Sequence, residues 1–291
     1  MGFTVESPWQ HRDALGESPI WDPDTRTLIR VDCERGFLIW LDVESGDQII
    51  HDMGDEVGYA AFAKSGEALV TVGQSLVAVA KDGTRRTISS SIDQRFGESG
   101  RYNDGKCDPH GRMFAGTLDK TFSGQGGFYR FDDAGRAQKL FGGVNVSNGL
   151  DWDVERKLMY WTDSIDYRID AFDYDGETGE ISGRRPFVHF DKSEGMPDGM
   201  TLDAEGGLWV AMFQGSAIRR YAPDGSLSAV VEVPTSCPTS IIIGGLDGKT
   251  AFVTSSYSWL KDDEKLNQPM GGGVLTFDAG VQGVVPGRVE I

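Results

Sequence analysis

Cysteine, histidine and long apolar runs are all scarce in this sequence, and basic residues are outnumbered by acidic ones. The three cysteines, Cys33, Cys107 and Cys237, lie far apart in a chain of 291 residues. An odd number at such spacing gives no disulfide framework and excludes the small stapled folds. The four histidines, His11, His51, His110 and His189, show no metal-ligand spacing. No Gly-x-Ser-x-Gly elbow, Walker A loop or His-Glu-x-x-His helix occurs either. Serine-elbow hydrolases, P-loop enzymes and helix-borne zinc proteases therefore fall away. No stretch approaches the roughly 20 apolar residues of a membrane-spanning helix. The stretch from Met1 to Trp9 has neither the basic start nor the apolar run of a signal peptide. The expected setting is the cytoplasm, with no membrane partner. Twenty-eight Lys and Arg stand against 45 Asp and Glu, a net charge of −17. Such a field repels phosphate backbones and favours cations, so nucleic acid is not an expected partner.

What is abundant is glycine, 39 residues, much of it beside aspartate. That chemistry marks many tight turns between short strands. No helical apolar stripe of useful length interrupts it, which argues against α/β architectures. A two-part unit recurs down the chain. Its first part is an apolar strand, an Asp-x-x-Gly-like turn and a second apolar strand, as in Lys106-Cys-Asp108-Pro-His-Gly111 and Met200-Thr-Leu-Asp203-Ala-Glu-Gly206. Its second part is another hairpin with an acidic Gly turn, as in Ile39-Trp-Leu-Asp42-Val-Glu-Ser-Gly46 and Tyr129-Arg-Phe-Asp132-Asp-Ala-Gly135. Six copies spaced by roughly 40 to 50 residues predict an all-β fold, a six-bladed β-propeller of four-stranded antiparallel blades. The whole chain, 1–291, reads as one propeller domain. A β-sandwich is the alternative, but it has no reason to repeat its turn chemistry at one period. The segment from Tyr257 to Pro269 is expected to carry one or two helical turns as an insertion.

The first turn of each unit serves as a ruler, marked by Thr25, Gly66, Gly111, Arg156, Gly206 and Gly248. Eight residues before each mark stand Glu17, Gly58, Asn103, Asn148, Asp198 and Ser240. Each precedes an innermost strand, so the six should ring the mouth of the central channel at one height. Four of them are strong oxygen donors. Mixed carboxylates and carboxamides suit one hard or borderline divalent cation, with Ca²⁺ and Mg²⁺ first and Mn²⁺, Zn²⁺ or Fe²⁺ possible. Glu17 and Asp198 brought close would repel by about 4 kcal/mol at 4 Å with an effective dielectric near 20, and a cation or a shared proton removes that cost. Asn148-Gly149 and Asp198-Gly199 are equally ordinary turn dipeptides, whereas Glu17 before Ser18-Pro19 is not turn chemistry. Trp209 and Trp259 are the tryptophans placed to face a sugar; the others read as blade packing.

At these positions the chain resembles the senescence marker protein, gluconolactonase and regucalcin family of sugar lactonases. The matching segments include Leu15-Gly16-Glu17-Ser18-Pro19-Ile20-Trp21, Arg101-Tyr-Asn103-Asp104-Gly105-Lys106, Val146-Ser147-Asn148-Gly149-Leu150 and Pro197-Asp198-Gly199-Met200. They run through nearly the whole chain in family order. The resemblance implies a divalent cation held by Glu17, Asn148 and Asp198, with Asn103 at its edge or on substrate. It implies that Arg101 holds the sugar hydroxyls or lactone oxygen, and that Asp119, after Phe114-Ala-Gly-Thr117, meets the substrate. The implied reaction is hydrolysis of an aldonolactone, for which Asp198 is the candidate general base. A non-catalytic calcium-binding propeller and a phosphotriesterase-like hydrolase are the alternatives on this scaffold. Oligomeric state leaves no signal in the sequence.

Overall fold

The computed structural model describes residues 2–90, 100–132 and 135–290. It is a six-bladed β-propeller. Strand order in each sheet is sequential and antiparallel, so each blade is a meander of neighbouring hairpins. The innermost strands are Gly16–Asp22, Val57–Phe62, Gly100–Cys107, Ser147–Asp153, Met196–Leu202 and Pro238–Gly244. Each packs against the next, and the last returns to the first, closing a ring around the axis.

Asp side chains make the inner turns as the repeat predicted. Asp108 Oδ1 accepts from the backbone N–H of His110 and Arg112, and Asp203 Oδ1 accepts from those of Glu205 and Gly207. The turn residues Asp133 and Ala134 of the third unit lie outside the described residues. Between blades the apolar faces form six clusters, each shared by two neighbours. One joins Trp21 and Leu28 of blade 1 to Ile242 and Phe252 of blade 6. Burying each such side chain is worth about 1.5–3 kcal/mol, so closure of the ring is driven by the same contacts that stack the blades.

Blade 6 takes three of its strands from the end of the chain. Its outer position is taken by Glu6, whose N–H and C=O exchange hydrogen bonds of 2.9 and 2.8 Å with Thr276. A ring built from a linear chain has to be latched somewhere, and pairing the N-terminal segment with the last blade does this without a free edge. The C-terminal segment runs across the inner turns at the far end of the channel. Ala204 N–H donates to Gln282, Gly283 to Gly248, Val289 to Phe62 and Glu290 to Gly111, while Arg288 binds Asp22 at 2.5 Å. Five blades are tied at that end, which leaves the channel open at the other. The insertion from Tyr257 carries the helix Asp262–Asn267, as expected.

Candidate metal centre

Every innermost strand loses register with its neighbour at one level, near the open end. The shifts fall between Glu17 and Ile20, Val57 and Ala60, Ser147 and Leu150, Pro197 and Met200, and Pro238 and Ser240; in blade 3 Tyr102 and Gly105 flank the shift. A β-bulge breaks the alternation of side chains and re-aims the extra residue. Gly58, Asn103, Asn148 and Asp198 occupy these bulges. Glu17 sits one residue before its own, still paired with Val31, and Ser240 sits just after, paired with Thr254. The first bulge puts Ser18 at φ 50°, and its hydroxyl offsets that strain by bonding both N–H and C=O of Ala60.

Asn148-Gly149 and Asp198-Gly199 are therefore strand residues and not turns. Glycine is required there by proximity: a Cβ on Gly149 would lie 2.5 Å from the Asp198 carbonyl oxygen, and one on Gly199 would strike Ser240. Inner strands approach each other that closely only without side chains. Gly58, the position of the ring without a side chain, is excluded from having one by Tyr102 and Thr71 at 2.5 and 2.7 Å.

At this level of the strands Glu17, Arg101, Asn103, Asn148 and Asp198 meet at one cavity of about 280 Å³, with Ser164 as a sixth polar residue. Asn148 Nδ2 donates to Ser164 Oγ at 2.8 Å, and Ser164 Oγ donates to the Pro197 carbonyl at 2.7 Å. That chain fixes the amide, so Asn148 Oδ1 faces Asn103, whose Nδ2 donates to it at 3.0 Å and to the Ser147 carbonyl at 2.8 Å. Arg101 in turn donates through one terminal nitrogen to Asn103 Oδ1 and the Tyr102 carbonyl, both at 2.8 Å. Sequence reasoning missed Ser164. Its signal is local: Asp163 caps the 3₁₀ turn Ser164–Asp166, which follows a strand end and points its first hydroxyl inward.

Electrostatics set the carboxylates apart from the rest. Burial, and then the charge of Asp104, push the Glu17 carboxyl up to about 8. Burial followed by the charges of Glu17 and Asp104 raises Asp198 well above the ordinary carboxylate range, and burial lifts Asp104 to about 6. Asp198 Oδ1 is buried and has no hydrogen-bond partner among the described residues. Among them, too, no three His, Cys, Asp and Glu side chains converge on one point. The donor set is two carboxylates with two carboxamides. It fits a divalent cation: a buried carboxylate oxygen without a partner among the described residues, a second carboxylate in the same cavity, and an amide oxygen with a lone pair to spare.

Asp119 is not brought to the cavity. Its carboxylate accepts from the N–H groups of Thr121, Ser123 and Gln125 and from the hydroxyls of Thr121 and Ser123. Those bonds hold it well below the usual carboxylate range against the opposing effect of burial, and they organise its own loop. Trp209 is likewise internal, its indole N–H on Asp203 at 2.8 Å, whereas Trp259 does line the cavity. The three cysteines are free and buried. No helix of the described residues is long and apolar enough to cross a membrane.

The family model described as SMP-30/Gluconolactonase/LRE-like region matches residues 15–257. Regucalcin of Gallus gallus is 35% identical over 290 residues, covering 97% of both chains. Among solved structures, a luciferin-regenerating enzyme superimposes with a TM-score of 0.90 at 28% identity over 100% of both chains. Regucalcin from Agrobacterium tumefaciens, described as a calcium-binding protein, gives 0.91 at 26% identity over 100% of this chain and 99% of that one. A likeness of that extent makes the chain a member of the SMP-30/gluconolactonase/LRE-like family.

Proposed function

We propose that the protein is a divalent-metal-dependent lactonase, with aldonolactones, the sugar lactones implied by the family likeness, as the substrate class to be tested first. The observation that carries the reading is Asp198 Oδ1, buried with no partner among the described residues in a cavity that Glu17 also lines. Glu17, Asn148 and Asp198 would hold the cation, Ca²⁺ first among candidates, and Asn103 would border it. When bound, the ion supplies Lewis acidity at the carbonyl oxygen and relieves the repulsion between Glu17 and Asp198.

The chain's own groups do the rest. Asp198 takes the proton of the water that adds to the carbonyl carbon. That proton passes to the ring oxygen as the carbon–oxygen bond breaks, leaving a hydroxy acid. With a cation bound, the Asp198 carboxylate would stay ionised at neutral pH, the state a base needs to take this proton. Asn103 keeps its amide aimed by the bond from Arg101, so the ring meets a pre-set surface. Simple lactones open without a covalent nucleophile, and none is required here.

The test is a lactone panel followed by pH indicator, on protein stripped with chelator and reloaded with Ca²⁺, Mg²⁺, Mn²⁺, Zn²⁺ or Fe²⁺. Activity should vanish on stripping and return with one or more ions. Full-rate turnover after stripping overturns the reading. A second reading, a calcium-binding propeller without turnover, draws on the likeness to a relative described as calcium-binding; tight binding with no hydrolysis of any lactone would favour it.

A further inference from the structure

The cavity divides sharply in chemistry. Its polar groups sit together on the floor, while Leu118, Phe122, Ile165, Met196, Phe213 and Trp259 line it above them, with two further aliphatic residues. Three of these lie open to solvent: Phe122 at 58% exposure, Trp259 at 53% and Ile165 at 40%. Large apolar side chains scattered singly on a surface need no explanation, but three at the rim of one cavity form a patch.

Each is held there by the surrounding structure. Trp259 gives its indole N–H to Glu34 at 3.2 Å and packs edge-on against Phe213, 5.6 Å between ring centres, so what remains to offer is a ring face. Phe122 is held at φ 52°, a left-handed conformation that strains a bulky residue. The five bonds to the Asp119 carboxylate over-determine that loop and keep Phe122 in place. Ile165 projects from the same 3₁₀ turn whose first hydroxyl, on Ser164, anchors Asn148.

Three charged groups near the mouth are already engaged. Asp119 is consumed by its loop. Lys120 pairs with Glu56 at 2.7 Å, and Arg101 turns one guanidinium nitrogen onto Asn103 and the Tyr102 carbonyl, with its Nε 3.8 Å from the same Glu56. A polyhydroxylated ring in this mouth would set hydroxyls against hydrocarbon, where each one left unpaired weakens binding.

We infer that the preferred substrate is a lactone bearing an alkyl or aryl substituent, seated against Phe122, Ile165 and Trp259 while the ring carbonyl meets the polar floor. This rests on the lactonase reading and departs from the sugar class in the substituent. The mouth supplies area for the tail, and the floor supplies the chemistry common to all lactones.

The experiment compares kcat/KM of the metal-reloaded protein on δ-valerolactone, δ-decalactone, dihydrocoumarin and glucono-1,5-lactone, with calorimetric binding of the non-hydrolysable alkyl lactam matching δ-decalactone. The value should rise at least about tenfold from δ-valerolactone to δ-decalactone, the worth of roughly two buried methylenes. Trp259→Ala and Phe122→Ala should narrow that ratio, and both sites are exposed enough for the variants to fold. Glucono-1,5-lactone turned over as well as or better than δ-decalactone overturns the inference and leaves the lactonase standing. If no lactone is hydrolysed the lactonase fails. Lactam binding then decides the mouth: heat that is lost in Trp259→Ala supports an apolar ligand, and none overturns it.

Discussion

Two levels of the same channel, three residues apart along the inner strands, treat buried charge in opposite ways. Three residues beyond Asn103, Asn148 and Asp198 stand Lys106, Asp151 and Thr201. There the Asp151 carboxylate receives Lys106 Nζ at 2.8 Å, Thr201 Oγ1 at 3.2 Å and the Leu202 N–H at 2.9 Å, and Lys106 also donates to the Met200 carbonyl. Every charge is answered across three blades. At the upper level Glu17 and Asp198 line one cavity and each raises the other's proton affinity, and Asp198 Oδ1 has no partner among the described residues. Burial is similar at the two levels. The lower one is built as a strut and the upper one is left for something else to complete.

Replacing Asp198 should break the contrast most deeply. Asp198→Asn keeps the shape and removes the charge, so lactone turnover should fall by about 10³-fold, the range for losing a positioned base. Its metal-free form should nevertheless melt higher than the parent at alkaline pH, because a buried unpaired charge has gone. Lower melting together with retained activity would make the upper level another strut.

Lys106→Ala tests the other side. Truncating one partner of a buried pair should cost about 3–5 kcal/mol in urea unfolding, while turnover per folded molecule stays near the parent value. A loss of activity without a loss of stability would move Lys106 into the site.

Ser164→Ala sharpens the boundary between the levels. Without its oxygen the Asn148 amide loses its anchor, and cation affinity by calorimetry should drop about ten- to a hundredfold. Unchanged affinity would mean that Asn148 is held by Asn103 alone.

The smallest effect is a pH dependence of melting temperature. The Glu17 value in the fold, about 8, lies above its ordinary 4.5, so the folded chain binds more protons than the unfolded one between those values. Stability of the metal-free protein is therefore greatest at the acidic end of that window and is lost as pH rises through it. A saturating divalent cation should flatten the slope by several degrees at the alkaline end. A metal-free melting temperature that climbs with pH across this window would contradict the buried, unpaired carboxylates.

The ring of donors was legible because a propeller repeats its geometry: equal offsets from six similar turns land at equal heights, whatever separates them in sequence. Counting back from those turns reached Glu17, Asn103, Asn148 and Asp198, and the structure brings all four to one cavity. The same count could not see the bulges. They decide that Asn148 and Asp198 lie in strands, and they set Glu17 one residue out of step. Asp119 looked like a substrate acid because its place after Ala-Gly-Thr is all that sequence offers. Its five donors come from its own loop, whose conformation no residue spacing reports. Ser164 was invisible for the converse reason, a lone serine whose role exists only through Asn148 and the Pro197 carbonyl.

Turn chemistry and apolar alternation act between neighbours in the chain, so strand pairing, blade count and the height of the donors follow from the sequence alone. Tertiary closure decided the rest: which blade borrows its outer strand from Glu6, which end of the channel the C-terminal segment ties, and which side chains spend their hydrogen bonds before a ligand arrives. Those outcomes depend on partners tens to hundreds of residues away. A carboxylate is free or committed only with respect to donors that folding delivers.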